Sequence, residues 1–141
     1  MAYCEKSDIL GQISEDQLIN LTDDKKTGAV DETIIAQAIA EADAEIDGWV
    51  GKRYSVPLFP VPAMAKKIST DFAVCNIYKR RRGLPEDRKL IYDNDIAFLK
   101  AVSKGDATLG VDDPTGSPQD GNAVVLATST RLFNRDNLKG F

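Results

Sequence analysis

Pro57, Pro60 and Pro62 stand within six consecutive positions and divide the chain more firmly than any other feature. A proline disfavours helix in the residue before it and fixes its own φ, so residues 51–62 are expected to form a stiff, extended connection. Gly51, which enters the left-handed conformation without a Cβ penalty, is expected to cap the preceding helix, and Pro62 to open the following one. Trp49, Tyr54, Leu58 and Phe59 belong to this stretch and suit packing rather than turnover.

On either side of the connection the apolar residues recur at helical spacing. Asp31 is placed to cap a helix whose stripe is Ile34, Ile35, Ala38, Ile39, Ala42, Ile46, Trp49 and Val50. Its other face carries Glu32, Gln37, Glu41, Asp43, Glu45 and Asp47, the pattern of a solvated side. A second long helix is expected from Pro62 to Arg82, with Met64, Ile68, Phe72, Cys75 and Tyr78 inward and Gly83 as its stop. A third begins at Pro85, buries Ile91, Phe98, Leu99 and Val102, and ends at Gly105. Two short helices precede them, one carrying Ile9, Leu10 and Ile13, the other opened by a capping box of Ser14 and Gln17.

Beyond Ala107 the character changes. Thr108, Leu109 and Val111 suit a short strand, with Val124, Val125 and Leu126 as a hairpin partner across the turn-rich, almost apolar-free residues 112–122. Residues 129–141 have no helical period, yet they contain Phe133, Leu138 and Phe141 among Arg131, Asn134, Arg135, Asp136, Asn137 and Lys139. So little apolar surface does not offset its own ordering entropy, so the segment is expected as an arm that docks on a neighbour. The reading is therefore a mainly α chain. It is a small bundle of three longer helices plus short N-terminal ones over 1–106, followed by a hairpin or extended strands and a C-terminal arm over 107–141, one domain overall.

The chemistry is defined largely by what is missing. The 141 residues include no histidine, which removes the commonest general acid–base, the commonest metal ligand and every Ser-His-Asp or Cys-His arrangement. There is no phosphate loop, nucleophile elbow or zinc-type cysteine spacing, so no enzyme activity, catalytic residue, metal or cofactor is expected. The stretch Asp23–Asp31 has the outline of a calcium loop. Setting Gly28 at the sharp turn, however, puts Lys25 and Ile34 where oxygen ligands are required. Cys4 and Cys75 lie far apart, and Cys75 reads as an inert core thiol. Eighteen basic against twenty-two acidic residues, a net charge of −4, argue against a dedicated nucleic-acid binder. No apolar run is long enough to span a membrane, and the N-terminus lacks a signal-peptide pattern, so a cytosolic chain is expected. The run Lys79-Arg80-Arg81-Arg82 complements the negative end of its own helix dipole, with Glu86 and Asp87 near enough to pair. Arg80, Arg81, Arg82 and Tyr54 are also candidates for an inter-subunit contact.

The order of several stretches carries a resemblance. Ala-Tyr-Cys and Asp-Ile-Leu open the chain, and an acidic, Ala-rich helix leads into Gly-Lys-Arg-Tyr-Ser-Val-Pro-Leu. A Pro62-led helix then ends in Tyr78 and the arginines, and Arg131 to Phe141 close the chain. In this the chain is similar to a family of small proteins encoded in the head–tail region of Mu-like phages and prophages, and resembles the adaptor proteins of tailed phages. The resemblance implies a structural virion protein, a head–tail connector that forms a ring, dodecameric in the virion, on the portal protein. The next neck or tail protein would bind below, DNA would pass through without specific binding, and no membrane is involved. The expected location is the virion neck, and the host cytoplasm during assembly. Docking on a neighbouring subunit or on the portal is expected through Arg131, Phe133, Arg135, Leu138 and Phe141. A head-completion or tail-terminator protein is the alternative within this class, and a small nucleic-acid-binding regulator the alternative outside it.

Overall fold

The structure is a computed structural model that describes residues 1–111. Five helices follow in chain order: α1 (Lys6–Leu10), α2 (Glu15–Thr22), α3 (Glu32–Val50), α4 (Ala63–Arg81) and α5 (Glu86–Lys104). The bundle reading holds, with three long helices of 19 residues each. The α3–α4 pair forms the most extensive packing, α5 lies against both, and α1 and α2 pack on α4. No strand forms among the described residues. Gly110 is left-handed at φ 81°, and the Leu109 N–H donates to the Tyr54 hydroxyl at 3.4 Å. Leu109 is thereby held in the core and not in a ladder; the partner expected at 124–126 lies outside the described residues.

The caps follow their chemistry. The Asp31 carboxylate accepts from the Thr33 and Ile34 N–H groups, and the Ser14–Gln17 capping box forms in both directions. Pro62 and Pro85 occupy the caps of α4 and α5, one position before the first helical turn. Gly51 caps α3 but stays right-handed at φ −60°, contrary to expectation. Gly105 is the left-handed cap, at φ 95°.

Ile46, Val50, Ala65, Ile68, Phe72, Val74, Ile77, Leu99 and Val102 are fully buried where the long helices meet. Several stripe assignments shift outward: Trp49 is half-buried with Lys100 Nζ 5.7 Å from its ring centre, Met64 is exposed, and Ile34, Tyr78, Ile91 and Phe98 are half-buried. Asp43 shifts inward. It lies on the α3 face read as solvated, yet it is buried because the N-terminal segment runs against that face. The Tyr3 N–H donates to its Oδ2 at 3.0 Å and the Ser69 hydroxyl to its Oδ1 at 2.6 Å.

Tyr3 joins this segment to the proline connection. Its hydroxyl donates to Asp47 and accepts the Leu58 N–H at 2.8 Å, and burial pushes the phenol up to about 12. Tyr3→Phe leaves that buried N–H unpaired, so urea denaturation should show a loss of ~1–2 kcal/mol, within the range for an orphaned buried donor.

Candidate functional site

The basic run ends α4, where its cations meet the α2–α3 loop and not the start of α5. Arg80 pairs with the Asp24 carboxylate and donates to the Leu21 carbonyl at 3.3 Å. Arg81 donates to the Asp23 carbonyl at 3.3 Å and lies 3.6 Å from Asp24. The expected partners Glu86 and Asp87 are replaced by acids more than fifty residues earlier, because α2 packs on α4 and delivers its C-terminal carbonyls to the arginines. Lys79 Nζ stands 3.9 Å from the centre of the Tyr92 ring, a cation–π contact. Arg82 is exposed.

The loop beneath the arginines organises itself. The Asp23 carboxylate accepts the Thr27 N–H at 2.9 Å and the Gly28 N–H at 2.7 Å. The Thr27 N–H bond first, with the Gly28 N–H beside it, holds this carboxyl below its ordinary range. Both of its oxygens serve the loop backbone, the arrangement of a turn, with Lys26 and Gly28 at positive φ.

A second polar cluster joins the α1–α2 connection to α4 and α5. Gln12 donates to Asp71 Oδ1 at 2.6 Å, and Arg88 donates to the Gln12 amide oxygen at 2.6 Å. Lys67 Nζ lies 2.7 Å from Asp71 Oδ2 and 3.5 Å from Asp95 Oδ1. Asp95 Oδ2 is buried without a hydrogen-bond partner among the described residues. Desolvation pushes the Asp95 carboxyl up to about 6, against the pull of Lys67. Cys75 is buried with its thiol pushed up to about 11, chiefly by desolvation, as suits an inert core sulfur. Cys4 is likewise buried and raised by desolvation, with the Ser69 hydroxyl 3.1 Å from its sulfur.

The residues singled out for docking separate into three groups. Tyr54 is turned into the core, only 4% exposed, so its ring is not presented to a neighbour. Arg80 and Arg81 work within the subunit, and Arg82 faces outward. Arg131, Phe133, Arg135, Leu138 and Phe141 lie outside the described residues. What sequence reasoning missed is that the proline connection presents an exposed apolar ridge. Phe59, expected to pack, is 78% exposed, with Val56 beside it in the chain at 42%.

The connection contributes to two grooves. One is lined by Tyr54, Leu58, Phe59, Pro60, Gly110 and Val111. The other runs along α3, lined by Ala36, Ile39, Ala40 and Ala44 with Met1 and Pro57. Among the described residues no helix is long and apolar enough to cross a membrane.

Comparison with known proteins follows the same lines. The gene product J of Escherichia phage Mu is 29% identical over 143 positions, covering all of this chain and 99% of that protein. The Mu-like prophage FluMu protein gp36 of Haemophilus influenzae is 27% identical over 113 positions, covering 80% of this chain and 79% of its own. Residues 3–127 match the family described as Bacteriophage Mu, Gp36. The chain thus belongs to the Bacteriophage Mu Gp36 family, a family of Mu-like phages and prophages.

Proposed function

We propose that the chain is a structural subunit of the phage neck, a head–tail connector that assembles as a ring on the portal and joins head to tail. The observation that carries this reading is the contrast between a satisfied body and an uncovered ridge. The charged groups Arg80, Arg81, Lys67 and Asp71 are engaged inside the subunit, whereas Phe59 and Val56 stand exposed on a stiff connection. Large apolar side chains held out on a rigid segment mark a surface that another protein covers. A ring repeats one heterologous contact until it closes, so each subunit needs two different complementary surfaces. The ridge and the grooves beside it offer such a pair. Family membership supports the same reading, since the relatives are proteins of phage Mu and of a Mu-like prophage.

In this role the partners are other copies of the chain, the portal protein and the next neck or tail protein. The place of action is the virion neck, after assembly in the host cytoplasm. DNA passes without specific binding. A net charge of −4 suits that, because a strongly basic lining would hold phosphates. Light scattering after gel filtration, with and without purified portal protein, is the test. The expected result is a closed oligomer or a stoichiometric portal complex, together with no saturable binding to duplex DNA at physiological salt. A chain that stays monomeric in the presence of portal, or that binds DNA tightly, ends the connector reading.

A further inference from the structure

Resting on the ring reading above, we propose that the groove along α3 receives the C-terminal segment, residues 131–141, of a second copy of this chain. The groove has a volume of about 570 Å³, within the range of binding clefts. Its α3 wall is small and apolar, with Ala36, Ala40 and Ala44 one helical turn apart so that a side chain from outside can approach the helix closely. Among the described residues, the charged groups lining it are Asp43, Asp47 and the Met1 ammonium, which stands near enough to Asp43 to favour its charged form. The Asp43 oxygens accept from the Tyr3 N–H and the Ser69 hydroxyl, and Asp47 Oδ1 accepts from Tyr3. The groove is thus apolar along its length, with Asp47 as the acid left at its edge.

Residues 131–141 have the complementary character. Leu132, Phe133, Leu138 and Phe141 supply apolar side chains, and Arg131, Arg135 and Lys139 outnumber the one acid, Asp136. The apolar residues suit the alanine wall, and the arginines suit Asp47. Opposite charge also sets the orientation of approach.

Reach permits a second copy as the donor, and the ring reading makes a second copy the neighbour. The described residues end at Val111, which lines the other groove. Twenty-one residues lie between Val111 and Phe133, and extended this stretch spans up to about 70 Å. The 19-residue α3 is about 28 Å long. Chain of that length is long enough to reach the α3 of a neighbour. Groove and arm are different surfaces of one chain, so their pairing is heterologous and propagates around a ring.

The experiment uses the full chain with a photo-crosslinking phenylalanine analogue at position 133 or 141, prepared as a mixture of isotopically heavy and light copies. Crosslinked peptides are then mapped by mass spectrometry. The expected products join the arm to α3 peptides around Ala36–Ala44 in heavy–light pairs. Pairs formed only within one copy, or crosslinks that map elsewhere, overturn the assignment. A second arm uses Ala40→Arg, an exposed helix position where arginine is a good helix former. It should leave helical circular dichroism and melting temperature unchanged and weaken self-association at least about tenfold, by bulk and by repulsion of Arg131 and Arg135. Undiminished association of this variant overturns the proposal. If the unmodified chain forms neither oligomer nor portal complex, the connector reading falls as well. If it assembles while the crosslinks land off α3, only the groove assignment falls.

Discussion

Phe72→Ala should remove about 3–5 kcal/mol of stability, the range for truncating a fully buried aromatic. Phe72 has no exposed surface and sits in the middle of α4, the helix against which every other helix packs. Its ring lies 4.9 Å from that of Tyr92 on α5, tilted by 44°, so the substitution removes an aromatic pair as well as apolar burial. Tyr92 then loses one of its supports, although its hydroxyl still donates to Glu45 at 2.6 Å and Lys79 Nζ still stands over its ring. Relaxation of α5 into the cavity would lower the loss toward the bottom of the range. Chemical denaturation monitored by far-UV circular dichroism measures it directly. A loss below about 1 kcal/mol would mean that the α4–α5 seam is not the centre of the fold.

Asp95→Asn should flatten the dependence of stability on pH between about 4 and 6. The folded-state carboxyl titrates near 6, above the ordinary carboxylate value of about 3.9 in an unfolded chain. The folded state therefore holds its proton more tightly. The stability this contributes is complete below about pH 4, declines as pH rises through the window, and is gone above about 6. A shift of this size corresponds to a change on the order of 2–3 kcal/mol. Lys67 and Asp71 on α4 are the charged groups facing it, and Lys67 keeps its 2.7 Å contact with Asp71 when Asp95 is replaced. The asparagine amide also carries no charge to desolvate. Denaturation midpoints measured from pH 4 to 8 for both proteins give the test. Two parallel curves would show that Asp95 is not the titrating group. Acidic groups with lowered values, such as Asp8 and Asp23, contribute the opposite slope equally to both proteins and drop out of the difference.

What could be read from the sequence was what is local. Asp31 and the stripe from Ile35 to Val50 define α3 through one cap and one period, and both are as the residues dictate. The ends of α4 and α5 follow from Pro62, Pro85 and Gly105 for the same reason. What was not legible depends on partners far along the chain. Asp43 occupies a position that helical periodicity assigns to solvent, and only the Tyr3–Cys4 segment crossing α3 makes it a core group. Arg80 and Arg81 carry no signal that their acid lies at Asp24. Phe59 and Tyr54 belong to a connection without period, where composition predicts packing for both. The fold buries one and exposes the other. The docking residues expected at 131–141 lie beyond the described part of the chain, and for them the sequence supplies chemistry without position.

Arg53 donates to the Val102 carbonyl at 2.9 Å, joining the proline connection to the last turn of α5. A Cβ placed on Gly105 would press on that guanidinium at 3.3 Å, so the guanidinium that holds Val102 would have to give by a few tenths of an ångström. In evolutionary terms the two positions do not drift independently. While Arg53 holds the carbonyl, residue 105 is confined to glycine by its φ of 95° and by its neighbour together. Relatives that carry a side chain at the position of Gly105 should therefore have lost the arginine first, so that the order of the two changes is written into the lineage.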